Sequence, residues 1–256
     1  AFGDYQNLNS RVHYQDENAP QNGGAIIRGR STGGANTAIG YAVMTRLTSG
    51  PHNTGVGYAA LRQNTRGNGN VAVGSKSLEK NTTGDWNTAV GYKSLARNTQ
   101  GKENTALGMV ALSSNTTGNF NTATGRAALK SSKTGSDNTA NGAFALERNT
   151  TGRGNSAFGA YALQYTSTNE YDSAFGYHTL WKSKGGGGRN AAFGAAALRD
   201  TELGTRNTAI GFRAGGKNIN GNNNVFIGYE AGYRNYYRYQ IDKLVIANGK
   251  DSRNEL

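Results

Sequence analysis

From residue 36 onward the apolar and polar positions of the chain follow one short phrase, written again and again. Asn87-Thr88-Ala89-Val90-Gly91 is followed by Leu95, and Asn104-Thr105-Ala106-Leu107-Gly108 by Leu112. The Gly that closes the phrase recurs at Gly40, Gly57, Gly74, Gly91, Gly108, Gly125, Gly142, Gly159, Gly176, Gly194, Gly211 and Gly228. The step is 17 residues throughout, except for 18 between Gly176 and Gly194. The extra residue falls beside Gly185–Gly188, where a glycine bulge can absorb it. Twelve copies held in register over residues 36 to about 232 are the mark of a chain built by stacking one unit on the next.

Each column of the repeat predicts local structure. Thr-Ala-Val-Gly alternates as a strand does, with Thr and Val on one face and Ala and Gly on the other. Asn-Thr-Thr-Gly and its relatives, as at Asn81–Gly84 and Asn115–Gly118, carry turn chemistry. A helix is excluded, because Gly in mid-phrase and Gly or Asn at each end would cut it to about two turns. Seventeen residues suit one coil of a parallel β-solenoid, with two short strands and two turns. Stacking then aligns like residues into ladders about 4.8 Å apart. Leu61, Leu78, Leu95, Leu112, Leu129, Leu146, Leu163, Leu180 and Leu198, with Met44 in the first copy, supply the interior along with Ala and Gly.

A second apolar ladder stands just before each anchor Gly: Ile39, Val56, Val73, Val90, Leu107, Phe158, Phe175, Phe193, Ile210 and Ile227. Strand alternation turns it away from the Ala/Gly face. One buried Leu per coil contributes about 2 kcal/mol, whereas ordering each residue costs about 1–2 kcal/mol. The chain is therefore short of core, and an apolar stripe along a rod finds a partner. The expectation is self-association with this ladder at a symmetry axis, Thr124 and Asn141 forming a polar layer that sets register. The alternative is that the ladder fills the coil's own interior.

Phrases such as NTAIGYAVM, NVAVGSKSL and NSAFGAYAL resemble the YadA-like head repeats of trimeric autotransporter adhesins, and equally the repeats of phage-type trimeric fibres. The matching pattern, Asn/Ser-x-Ala-Ile/Val-Gly with an Ala three residues on, is seen at Asn36-Ala38-Ile39-Gly40 and at Asn207-Ala209-Ile210-Gly211-Ala214. It covers about three quarters of the chain, though the coil here is longer than the usual head repeat. The resemblance implies a left-handed β-roll of three intertwined chains, placed outside a bacterial cell or on a virion. Residues 1–35 read as an N-terminal cap or connector, 36–232 as the head, and 233–256, with the strand-like DKLVIAN, as a C-terminal cap or lead into a further domain.

Composition narrows the chemistry. The 256 residues contain no Cys and 38 Gly, so disulfides and thiolate metal sites are excluded. No apolar run approaches the roughly 20 residues of a membrane span. The start, AFGDYQNLNS, lacks the form of a secretory signal, which leaves export open. His13, His52 and His178 occupy unrelated columns, carboxylates are unpaired, and GFRAGGKN only approximates a phosphate loop, so neither catalytic, cofactor nor metal residues are expected.

The net charge of +12 points to anionic partners such as a surface glycan or lipopolysaccharide, with a protein receptor also open. Arg62, Lys80, Arg97, Lys130, Arg148 and Arg199 would form a basic stripe along one edge, or simply a solvated face. Nucleic acid is not expected, since stacking aromatics are not interleaved with the charge. Tyr161, Tyr165, Tyr171, Tyr177 and Trp181 cluster near the glycine run and are the candidate ligand surface, as a sugar-stacking platform or as internal packing.

The function expected is that of a structural or adhesive segment of a trimeric fibre. A single-chain solenoid that binds ice through Thr37, Thr54, Thr88, Thr105, Thr122, Thr139 and Thr208 is the alternative.

Overall fold

The computed structural model describes residues 34–233 and 239–249. The expected N-terminal cap, His13 included, lies outside them apart from its last two residues. The chain is an all-β parallel solenoid of about twelve coils, with no α-helix among the described residues. It divides into two compact units, Ala1–Gly118 and Asn119–Leu256.

In the first unit β1 (Thr37–Ile39), β2 (Thr54–Val56), β3 (Val71–Val73), β4 (Thr88–Val90) and β5 (Thr105–Leu107) pair in sequence order, all parallel. Like stacks on like: Thr37 pairs with Thr54, and Val73 with Val90. The second unit contains β6 (Thr122–Thr124), β7 (Thr139–Asn141), β8 (Ser156–Phe158), β9 (Ser173–Phe175), β10 (Ala191–Phe193), β11 (Thr208–Ile210), β12 (Val225–Ile227) and β13 (Leu244–Ile246). These too pair in order and parallel. The DKLVIAN segment thus supplies β13, which lies on β12 with Val225 against Leu244. Each coil has one three-residue strand, where two were expected.

A long turn of alternating hand replaces the second strand. After the anchor Gly, every second residue is left-handed: Lys76 has φ 60° and Leu78 φ 46°, while Lys93 has φ 54° and Leu95 φ 48°. The alternation aims successive N–H groups in opposite directions. Lys93 N donates to Ser75 O of the coil before (3.0 Å), and Leu95 N to Ala111 O of the coil after (3.0 Å). A left-handed Leu costs about 1–2 kcal/mol. Complete burial of its side chain, contributing about 2 kcal/mol, offsets that cost. The anchor Gly is required on steric grounds. A Cβ on Gly91 (φ 127°) would stand 2.7 Å from the carbonyl oxygen of Gly108 directly beneath it.

The interior is only half apolar. The middle residue of each strand, usually Ala, and the Leu column are buried, and so are two columns of Asn. Asn87 shows the pattern: its backbone N and its Nδ2 both donate to Asn70 Oδ1 (3.0 Å each), and Nδ2 also donates to Gly101 O (2.8 Å). Asn87 Oδ1 in turn accepts from Asn104 N and Nδ2 (3.0 Å each). Along this column each amide is met by the coils on either side, which is what a buried polar group requires. The second column, Asn64, Asn81 and Asn98, closes the Asn-Thr-Thr-Gly turn by its side chain. Asn81 Nδ2 donates to Gly84 O and to Asn64 Oδ1 (2.9 Å each).

Core volume is conserved between columns. In the last coils the Leu column is taken by Gly215 and Gly232, both left-handed, and the Ala column by Phe226, which is fully buried. A Cβ on Gly215 would stand 2.6 Å from the Phe226 ring, and Gly232 is in contact with the same ring. One large and two small side chains thus replace the usual Ala and Leu. Phe226→Ala should cost about 3–5 kcal/mol in chemical unfolding. Adding Gly215→Leu should destabilise the parent chain yet recover part of the loss in the Phe226→Ala background. Additive effects of the two changes would refute the volume exchange.

The first amide ladder is broken once, by Asp172, in the coil that carries the extra residue. Asp172 N donates to Asn155 Oδ1 (2.9 Å), and its Oδ1 accepts from Asn190 N (2.9 Å) and Nδ2 (3.0 Å). Its Oδ2 stands where an amide nitrogen would, and accepts from Asn169 Nδ2 (3.0 Å), which also reaches Ser183 Oγ. Burial pushes the Asp172 carboxyl up, against the hydrogen bonds from Asn169 and Asn190 that pull it down. A carboxyl raised in the folded chain binds its proton more tightly there than when unfolded. Its contribution is therefore most favourable below the ordinary carboxylate range and declines as pH rises through that range. Asp172→Asn restores the ladder, and a rotated Asn169 amide can offer it the Oδ1 that otherwise has no partner. We expect this variant to gain about 1–3 kcal/mol at pH 7, and clearly less at pH 4. A gain independent of pH, or a loss at both, would show that the ionised carboxyl is not a weak point.

Candidate functional site

Two surfaces emerge from this frame. The first is the outward side of the strands. Because Ala faces in, the residue before each anchor Gly faces out, and the alternative in which that ladder fills the interior is overturned. In the first unit Ile39 is 55% and Leu107 48% exposed, with Val56, Val73 and Val90 half-buried between them. In the second unit Phe158, Phe175 and Phe193 stack at 4.8 Å between ring centroids, and Ile210 and Ile227 follow. Thr124 is half-buried and Asn141 exposed on the same side. A further outward column just after the anchor Gly adds Tyr41, Tyr58, Tyr92 and Met109, then Tyr177, Phe212 and Tyr229, all exposed. The exposed Thr37, Thr105 and Thr122 flank the same ladder.

The second surface is an aromatic cluster in the second unit. Four of the five expected residues come together. Tyr165 meets Trp181 edge to face (5.2 Å), and Tyr161 meets Tyr177 edge to face (6.0 Å). The residue that joins them is His178, which the reading of columns placed as an isolated surface residue. It stacks on Tyr177 (4.0 Å, 11°) and on Trp181 (5.1 Å, 8°), and meets Tyr161 edge-on (5.0 Å). The signal lay in its position one coil after Tyr161, in the same column. Burial, and then the charge of Arg199, pull the His178 pKa down, so the ring is neutral at physiological pH. Tyr171 is elsewhere: it sits five residues before its anchor Gly, where its ring covers Gly154, and Arg153 lies 5.9 Å from it.

Polar ladders support the cluster from below. Trp181 Nε1 donates to Gln164 Oε1 (2.7 Å), and Gln164 Nε2 to Glu147 Oε2 (2.8 Å). Lys130 Nζ lies 3.7 Å from the same Glu147. One face of each ring meets a neighbour: the Arg148 guanidinium lies 4.4 Å from the Tyr165 ring, and His178 stacks on Trp181.

The basic stripe is partly neutralised by acids one coil away. Arg62 pairs with Glu79 (2.8 Å), Lys130 with Glu147 as above, and Arg199 with the neighbouring Asp200 through both carboxylate oxygens (3.1 and 2.9 Å). Asp200 also holds Lys182 (3.0 Å) and Lys217 (3.3 Å). Burial alone would raise its carboxyl. The hydrogen bonds and charges of Arg199 and Lys182 outweigh it and bring the pKa down to about 2. The carboxylate is therefore ionised at any physiological pH. Among the described residues no group of three or more His, Asp and Glu is placed to hold a metal, and no helix is long and apolar enough to cross a membrane. Searches against protein-family models, curated proteins and solved structures returned no match for this chain.

Proposed function

We propose that the chain is a structural and adhesive segment of a trimeric surface fibre, resembling the YadA-like heads. In that reading its twelve 17-residue coils form a left-handed β-roll, and three chains wind together outside a bacterial cell or on a virion. The observation that carries the reading is the outward apolar ladder. Ile39 and Leu107 in one unit, and Phe193 and Ile210 in the other, are 43–55% exposed on the flat side of the strands, in columns that the repeat preserves although they add nothing to the core. Apolar ranks of this kind mark association surfaces.

Self-association explains the ladder better than ice binding does, because aromatic and aliphatic side chains flank the Thr column and roughen that face. The remaining surface is left to present or space a receptor-binding site for a surface glycan, lipopolysaccharide or protein.

Light scattering of the intact chain should give a mass of three protomers. Val73→Asp combined with Phe175→Asp should reduce it to one, because each buries a charge at the proposed axis in every copy. A monomeric parent chain overturns the reading.

A further inference from the structure

We propose that Trp86, in the first unit, is the stacking platform of a binding site for a neutral sugar whose ring hydroxyls are all equatorial, as in glucose. The proposal deepens the adhesive reading above, on which it rests for its biological setting, by naming the chemistry of one receptor.

The column five residues before each anchor Gly is left-handed in every coil, from Ala35 (φ 57°) to Asn223 (φ 57°). Its backbone does not call for Gly, since His52, Glu103 and Asp137 adopt φ between 54° and 60° there. Gly occurs in the column only twice, at Gly69 and Gly154. Each time the residue one coil later is an aromatic, Trp86 or Tyr171. The reason is space. A Cβ on Gly69 would run into the benzene ring of the Trp86 indole, and one on Gly154 would stand 2.6 Å from the Tyr171 ring. The rings gain little burial from these seats, for Trp86 remains 61% and Tyr171 48% exposed.

The same polar pair stands beside both rings. Asp85 precedes Trp86 and is held by Lys102 of the next coil (2.8 Å). Glu170 precedes Tyr171 and is held by Arg153 of the coil before (3.1 Å). Trp86 is the more open of the two platforms. Arg153 lies 5.9 Å from the Tyr171 ring, whereas among the described residues no other ring and no cation stacks on Trp86, and its indole N–H donates to none of them. Asp85 Oδ1 also accepts from Asn68 N (3.0 Å) and Nδ2 (3.2 Å). With the bond from Lys102, these contacts fix the carboxylate and leave one of its roughly four acceptor sites open.

This assembly selects its occupant. An open, uncharged aromatic surface takes the C–H face of a pyranose, and an axial hydroxyl would interrupt that face. The groups at hand beside it are an acceptor, Asp85, and a donor, the indole N–H, and a sugar hydroxyl can answer either. Acidic occupants are disfavoured. In the coils of Gly69, Trp86 and Glu103, this column and the one before it hold the carboxylates of Asp85 and Glu103 against the single ammonium of Lys102, which Asp85 already engages. Nucleic acid is disfavoured on the same count, because stacked bases bring phosphates with them.

The probe is cellohexaose, titrated into the intact chain labelled at the Trp indole nitrogens. The chain has two Trp, so two indole cross-peaks are expected, and Trp86→Phe assigns them. The sugar should move the Trp86 peak alone, saturably and independently of salt, with a dissociation constant of about 1 mM. Trp181, whose Nε1 is bonded to Gln164 Oε1 (2.7 Å), should stay in place. A galacturonic acid hexamer and oligothymidine should bind more weakly than cellohexaose. Gly69→Ala suits the backbone, as Ala35 shows in the same column, and should weaken cellohexaose about tenfold by unseating the ring. If that variant does not fold, Trp86→Ala is read instead. It removes a mostly exposed side chain and should abolish binding, followed by saturation transfer on the sugar.

An unmoved Trp86 peak overturns the proposal. So do tighter binding of either anion, full affinity in Gly69→Ala, and retained binding in Trp86→Ala. Light scattering on the same samples separates this inference from the fibre reading: a monomer whose Trp86 peak moves sinks only the trimer, and a trimer in which it does not sinks only the platform.

Discussion

The constraint on which the rest depends is that the buried amides of one coil find most of their partners in the next. A coil of this length cannot satisfy its own interior, having a three-residue strand and a turn whose N–H groups point up and down alternately. Asn70, Asn87 and Asn104 resolve this because an amide presents a donor and an acceptor on opposite sides, and the repeat places the next amide where both are met. A buried donor left unmade costs about 1–3 kcal/mol, so one misplaced coil would penalise both its neighbours. The period is thus an outcome of hydrogen-bond accounting, and the low content of large apolar residues is what a core built from amides allows.

The same accounting divides the surface by function. Columns that point inward are held to Asn, Ala, Leu and Gly. Columns that point outward have no partner to satisfy and can vary, and they vary in different ways. The strand side keeps one chemical character for several coils at a time, as in the Phe158, Phe175 and Phe193 stack, which suits contact with an equally regular surface. The edge after the Leu column mixes charge, amide and ring from coil to coil. Arg148, Gln164, Trp181 and Asp200 are all different and each is bonded to its neighbours, which suits recognition of something less regular than a second copy.

Much of this was legible in the residues alone. The 17-residue step, the anchor Gly, the inward Leu and the outward ladder all follow from counting and strand alternation, because a coil whose neighbours are its own copies leaves little to long-range topology. Three features were hidden. Asn was assigned to turns, since its turn propensity is local while its buried role exists only when a second Asn sits on the next coil. The alternating-hand turn was hidden because Leu and Lys give no sign of a left-handed backbone; packing imposes it. The third is the company of His178: the histidines share no column with one another, whereas Tyr161 stands in the His178 column one coil earlier. Tyr171 failed for the complementary reason: nearness in sequence places residues in one coil, whereas only column position places them on one edge.

The coil of residues 172–189 concentrates the departures from the pattern. It contains the extra residue, beside left-handed Gly185, Gly186 and Gly188, and it opens with Asp172, which breaks the amide ladder. Tyr177, His178, Trp181 and Lys182 sit on its outer face. Eleven other copies show that the regular solution was open to this coil, and both the insertion and the buried carboxyl make it weaker than its neighbours. Where local rules fail in a chain that elsewhere obeys them, the cost is usually met for the sake of what the outer face does. The structural irregularity and the Tyr177–His178–Trp181 stack thus fall within the same coil. That coincidence sets the outer face of this coil apart from those of its regular neighbours.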